Sequence, residues 1–198
     1  MQPETERTKS ERAKSERTKT EGGGTEAQAK DVCLRLLTDR ARSRHELETS
    51  LAKKGYTPEV ANSVLSRLEA AKLVDDAAFA EQWVHSRHTF SGKGKRALSL
   101  ELRTKGVSAE HAQSALDQID SEDERERATE LVRKKCRSLS FPDAGDPDAR
   151  AERDKIVRKL VGMLARRGYQ QGMAFAVVKA ELEQIYVATE DFDGESYG

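Results

Sequence analysis

Two leucines four apart, three further residues, a glycine and then Tyr or Val: this pattern recurs three times along the chain. It reads Leu47, Leu51, Gly55, Tyr56, then Leu98, Leu102, Gly106, Val107, then Leu160, Leu164, Gly168, Tyr169. Leucines at i and i+4 share one helical face, and a glycine just past the last turn accepts the left-handed backbone that stops a helix. Each glycine is followed by a second helical start. Thr57-Pro58-Glu59 offers an N-cap, proline at the first helical position and an acid in the first turn. Ser108-Ala109-Glu110 repeats this without the proline, and Gln170-Gln171-Gly172 is a weaker version. The helices beyond these starts align without gaps. Ala61, Val64, Leu65 and Leu68 match Ala112, Ala115, Leu116 and Ile119; Ala174, Val177 and Val178 continue the first three, and Leu182 falls one place past the fourth.

Apolar periodicity predicts a further helix before each glycine-ended one. These helices span about 26–41 (Val32, Cys33, Leu36, Leu37), 75–89 (Phe79, Ala80, Trp83, Val84) and 122–138 (Ala128, Leu131, Val132, Cys136). Capping boxes at Ser43-x-x-Glu46 and Ser121-x-x-Glu124, with Asp75-Asp76, mark helix starts. The unit is three helices, copied three times. Gly55 to Gly106 is 51 residues and Gly106 to Gly168 is 62. The excess of 11 is Leu139 to Ala149, which holds two prolines and no helical period, and reads as a loop inserted in the third unit. No segment alternates like a strand. The expected fold is all-α: three tandem three-helix repeats forming an elongated, curved rod, at 27–73, 74–120 and 121–187.

Composition fits stacked thin units better than one compact globule. Hydrophobic residues make up 36% and charged residues 35%, against about 45–50% apolar in an average globular domain. Residues 1–26 carry near-copies of one five-residue word, Glu6 to Ser10, Glu11 to Ser15 and Glu16 to Thr20, ending at Gly22-Gly23-Gly24. With so few apolar side chains this tail cannot offset its ordering entropy, and disorder is expected. Residues 188–198 read as an acidic C-terminal tail. Cys33 and Cys136 occupy equivalent inward positions and read as buried thiols of a reducing compartment. No apolar run approaches the roughly 18–20 residues a membrane span needs, and the N-terminus has no signal-peptide core. The expected location is the cytoplasm.

Net charge is zero, 35 bases against 35 acids, but the charges are sorted. Residues 85–107 hold Arg87, Lys93, Lys95, Arg96, Arg103 and Lys105 against Glu101 alone; residues 150–168 hold seven bases, among them Arg158, Arg166 and Arg167, against Glu152 and Asp154. Bases in a last helical turn favour the macrodipole, which covers Lys53, Lys54, Lys105, Arg166 and Arg167. Lys93, Lys95 and Arg96 stand at a helix start, where positive charge is unfavourable. That placement calls for an external anion or an acidic partner surface, and Arg42 and Arg44 repeat it in the first unit.

Catalytic chemistry finds little support. His85-Ser-Arg-His88 has a metal-pair spacing without the Cys or acid cluster to complete a site. Ser50-Leu-Ala-Lys53 is a chance string on an amphipathic helix, and Gly92-Lys93-Gly94 is too short for a phosphate loop and follows no strand. Trp83 and Phe79, four apart, read as core. No enzyme activity, metal or cofactor is expected.

The string Leu73 to Arg87 (LVDDAAFAEQWVHSR), followed by Gly92 to Val107 (GKGKRALSLELRTKGV), resembles the centre of the RecX family of bacterial recombination regulators. Ser43-Arg44-His45-Glu46-Leu47, with Leu51, Lys54, Gly55 and Tyr56, is similar to that family's first unit, and the likeness covers roughly 27–187. The resemblance implies a monomeric non-enzymatic regulator that binds the RecA recombinase and its filament on single-stranded DNA, inhibiting strand exchange, ATP hydrolysis and co-protease function. It marks Arg44, Lys54, Arg87, Lys93, Lys95, Arg96 and Lys105 as candidate contacts. Charge clustering adds Arg103, Arg158, Arg166 and Arg167. The competing readings are a helical module that binds DNA directly, with weak, salt-sensitive affinity, and a helical scaffold whose charge serves solubility.

Overall fold

The computed structural model describes residues 24–142 and 147–194, with side chains through 186. Among the described residues all regular structure is helical. In chain order the helices are α1 (Glu26–Asp39), α2 (Arg44–Lys53), α3 (Pro58–Ala70), α4 (Asp76–Ser91), α5 (Lys95–Thr104), α6 (Ala109–Asp117), α7 (Ser121–Cys136), α8 (Ala149–Arg166) and α9 (Gln171–Gly194). Residues 1–23, most of the charged N-terminal tail, lie outside the described residues. α9 runs through Gly194, so helix continues into the stretch assigned by sequence to an acidic tail from residue 188.

Local sequence sets the helix starts. Thr25 with Gln28 and Ser43 with Glu46 form complete capping boxes, and Thr57 caps α3 ahead of Pro58. Asp75 Oδ1 accepts from the amides of Ala77 and Ala78 at the start of α4. The box expected at Ser121 and Glu124 lies one residue earlier: Asp120 is the N-cap and Asp123 its partner. Aspartate's shorter side chain closes the box locally, which frees Glu124 for a different contact.

The chain divides into two compact units: residues up to Phe79 with Lys105–Ser108, and Ala80–Thr104 with Ala109 onward. In the first, α1, α2 and α3 enclose Cys33, Leu47, Leu51, Val64, Leu65 and Leu68. Full burial of one such leucine contributes about 1.5–3 kcal/mol. The turn Lys105–Ser108 seats against the start of α2. There Ser43 Oγ donates to the Lys105 carbonyl at 2.6 Å, and Gly106, at φ +71°, lies so close that a Cβ would collide with His45 Cβ.

The second unit repeats this arrangement with other residues. The amides of Gly94 and Arg96, at the start of α5, donate to the carbonyls of Arg167 and Gly168 at 2.9 and 3.2 Å. A Cβ on Gly94 would stand 2.8 Å from the Gly168 backbone. Below this joint, Val132, Leu160, Leu164, Tyr169, Val178 and Leu182 form the core of α7, α8 and α9. Cys33 and Cys136 are buried free thiols whose pKa is raised by burial, for Cys136 with a contribution from the Glu181 carboxylate.

The middle helix of the third repeat departs from the other two. α8 has 18 residues where α2 and α5 have 10. The position matching Ser43 and Gly94 is Ile156, buried inside α8 and not a helix start. Phe141, from the loop before α8, packs edge-on against Tyr186 with ring centres 6.0 Å apart.

Candidate functional site

Several of the candidate cations are held by their own chain. Arg44 forms an ion pair with Glu69, donates to Asn62 Oδ1 at 2.6 Å, and its amide donates to Asp76. Lys105 Nζ sits 2.7 Å from Glu46 Oε1 and 5.9 Å from the centre of the Phe79 ring. Arg40 reaches the same carboxylate at 3.0 Å. Burial alone would raise the Glu46 pKa, but hydrogen bonds and charge from Arg40 and Lys105 outweigh it and hold the group at about 2.

Arg87 and Lys93 share Glu101, at 3.6 and 3.5 Å, and Trp83 Nε1 donates to that carboxylate at 2.9 Å. The Arg87 guanidinium also lies 4.6 Å over the Trp83 ring, so this half-buried tryptophan anchors a charge cluster. Arg167 donates to the Ser91 carbonyl at 2.7 Å, and His88 Nδ1 lies 2.9 Å from the Lys93 carbonyl oxygen. These are strapping contacts between helices. Among the described residues no group of His, Cys, Asp and Glu could hold a metal ion, and no helix is long and apolar enough to cross a membrane.

The expectation that the start of α5 needs an outside anion is corrected by Glu124. This buried carboxylate, from α7, accepts from the Lys95 amide at 2.9 Å. The negative charge that the helix N-terminus favours is supplied from within the chain. Sequence placed Glu124 in a local capping box and so missed it; the two residues are 29 apart.

Lys54, Lys95, Arg96, Arg103, Arg158 and Arg166 have no ion pair among the described residues. Of these, Arg96, Arg158 and Arg166 converge on one groove of about 890 Å³. Helical spacing produces the convergence. Arg158, Gly162 and Arg166 stand at i, i+4 and i+8 of α8, a stripe separate from the buried Ile156, Leu160 and Leu164. Arg96 and Leu100 stand at i and i+4 of α5, on a different face from the buried Leu98 and Leu102.

The floor is apolar and open to water. Leu100 is 55% exposed, and Phe175, from the first turns of α9, is 53% exposed. Sequence reading missed both, though Leu100 lies off the buried stripe of its helix and could have been noticed. At Gly162 an added Cβ would meet nothing but the end of the Arg166 side chain, at 3.3 Å. Mid-helix glycine costs about 1 kcal/mol relative to alanine, and here it leaves the groove open down to the α8 backbone. Three guanidiniums around an apolar floor match carboxylates or phosphates that carry an apolar companion. Lys54 and Arg103 do not line this groove.

Comparison with known proteins yields consistent matches. The family model described as the first three-helix domain of RecX matches residues 29–68, and that of the second three-helix domain matches 75–116. A regulatory protein RecX from Mycolicibacterium vanbaalenii is 58% identical over 155 residues, covering 78% of this chain and 83% of that protein. One from Mycolicibacterium smegmatis is 55% identical over 157 residues, covering 79% and 81%. In structure, RecX from Lactobacillus salivarius aligns with a TM-score of 0.65 over 78% of this chain and 95% of that one, at 21% identity, a likeness of fold.

Proposed function

The chain belongs to the RecX family of regulatory proteins, and from that premise we propose that it binds the RecA recombinase and its filament on single-stranded DNA. Binding inhibits strand exchange, ATP hydrolysis and co-protease activity. The protein acts as a cytoplasmic monomer, by occupancy and without chemistry of its own. Family kinship is the main support. The observation that carries the reading on the structural side is the Arg96, Arg158 and Arg166 groove, cationic with an exposed apolar floor and no neutralising carboxylate among the described residues. Repeated helical units also suit a repetitive partner, because several weak contacts held in one molecule add through effective concentration.

The test is the DNA-dependent ATP hydrolysis of a RecA recombinase, titrated with the full chain. Inhibition is expected below one molecule per recombinase subunit, and an unchanged rate at saturation refutes the proposal. Co-sedimentation separates filament binding from DNA binding: the chain should pellet with the filament and not with bare single-stranded DNA.

A further inference from the structure

We infer that the groove between α5, α8 and the start of α9 is a docking site for an acidic amphipathic helix of a partner protein. The helix would carry two carboxylates about two turns apart, with a large apolar side chain between them on the same face. This deepens the regulatory reading and rests on it for the partner's identity, though not for the chemistry of the groove.

Charge, spacing and surface chemistry lead to this occupant. Arg158 and Arg166 are eight residues apart on one stripe of α8, which at 1.5 Å per residue separates them by about 12 Å along the axis. Acids at i and i+8 of a second helix have the same separation, and a side chain at i+4 falls between them. That side chain meets the floor formed by Leu100, Val161 and Phe175. Gly162, midway between the two arginines, permits a close backbone approach there. Arg96, from α5, covers the remaining side of the groove.

Single-stranded nucleic acid suits the surface less well. Its sequence-independent binding combines a cationic track with successive aromatic platforms for the bases. Here the floor is mainly aliphatic, with Phe175 its one exposed aromatic ring among the described residues. Ordinary ion pairs at an exposed rim are individually weak, so selectivity requires the apolar contact and the paired charges to act together.

The experiment uses the full chain and a fluorescein-labelled, alanine-based sixteen-residue peptide with Glu at positions 4 and 12 and Leu at position 8. Binding is read by fluorescence anisotropy at 0.15 M salt. The peptide should bind, and its Glu→Gln counterpart should bind about tenfold more weakly, as expected for losing two exposed ion pairs. The Arg158→Ala/Arg166→Ala variant should show a similar loss, with its far-UV circular dichroism unchanged. Gly162→Leu, which fills the floor and keeps every charge, should also abolish binding.

Equal binding by wild type and both variants overturns the proposal, as does no binding of the peptide at millimolar concentration. A labelled deoxythymidine oligomer bound more tightly than the peptide and released by the same variants would make the groove a nucleic-acid site, which also overturns it. The recombinase assay keeps the two readings apart. If wild type and Gly162→Leu inhibit ATP hydrolysis equally, the groove assignment falls and the regulatory function stands. If wild type binds the peptide yet leaves hydrolysis untouched, the regulatory reading falls and the groove stands.

Discussion

Gly55 and Gly106 end equivalent helices in the same left-handed conformation, at φ +84° and +71°, yet substituting them should have very different consequences. A Cβ at Gly55 meets nothing within 4 Å, whereas one at Gly106 collides with His45 Cβ and Cγ. Gly55→Ala therefore costs only the backbone strain of a left-handed alanine, about 1–2 kcal/mol. Gly106→Ala costs that and more. Overpacking against a side-chain root that no rotamer can move adds about 1–3 kcal/mol. Displacing the turn also breaks the 2.6 Å bond from Ser43 Oγ to the Lys105 carbonyl, worth about 1 kcal/mol. The expected total is about 4 kcal/mol, a large part of the roughly 5–15 kcal/mol that stabilises an ordinary domain. Both glycines lie in the first compact unit, so one measurement compares them directly. Urea unfolding followed by circular dichroism, with hydrogen exchange of the α2 amides as the local readout, should rank Gly106→Ala well below Gly55→Ala. Adding His45→Gly to Gly106→Ala should recover part of the loss. Equal destabilisation by the two single substitutions would refute the claim that the glycine at this joint serves close packing as well as chain reversal.

The remaining predictions concern charge. Glu46, held at about 2 by Arg40 and Lys105 against the desolvation that opposes them, is ionised more readily folded than unfolded. Its contribution is complete above about pH 4.5 and is lost as pH falls towards 2; with screening at the water-exposed rim it amounts to about 1 kcal/mol. Glu46→Gln should remove that fraction of the acid-side loss, seen as a flatter plot of unfolding free energy against pH from 5 to 2.5. Glu124→Ala leaves the Lys95 amide without its acceptor at the start of α5 and should cost about 1–2 kcal/mol. The fluorescence of Trp83, the single tryptophan, reports that unfolding from within the same unit. An unchanged midpoint would mean that the buried carboxylate does not serve as the cap.

The helical repeats were legible because each rests on short-range rules. A period of four in leucine, a glycine stop and a capping residue suffice to place α2, α3 and α5 to within a residue or two. The candidate surface was only half legible. Family resemblance and charge clustering together selected Arg44, Arg87, Lys93 and Lys105 as readily as Arg96, Arg158 and Arg166, since neither can tell which cation will meet an acid after folding. Lys105 meets Glu46 across 59 residues and Arg44 meets Glu69 across 25. Glu124 was assigned to a local motif that Asp120 and Asp123 fill instead, and its bond to Lys95 depends on how α7 packs against α5. Leu100 and Phe175 went unremarked because isolated exposed apolar residues are ordinary on any surface. They acquire meaning only when packing places them in one groove.

Repetition also explains how a chain of zero net charge can still present a selective cationic surface. Relative to their leucines, Arg96 and Arg158 occupy the same position in the second and third repeats, where the first repeat has His45. The position lies off the buried stripe, so its side chain is not fixed by packing and is open to selection for contact with a partner. Elsewhere in the chain Lys105, Arg44 and Lys93 are paired with Glu46, Glu69 and Glu101, and those pairs cancel locally. At physiological salt, charges more than about 8 Å away are largely screened. An approaching helix therefore responds to Arg96, Arg158 and Arg166 and not to the balanced total. Such a surface gives little long-range attraction to bare polyanions, which respond to summed charge. Its chemistry favours a ligand whose carboxylates and apolar side chain arrive together in register.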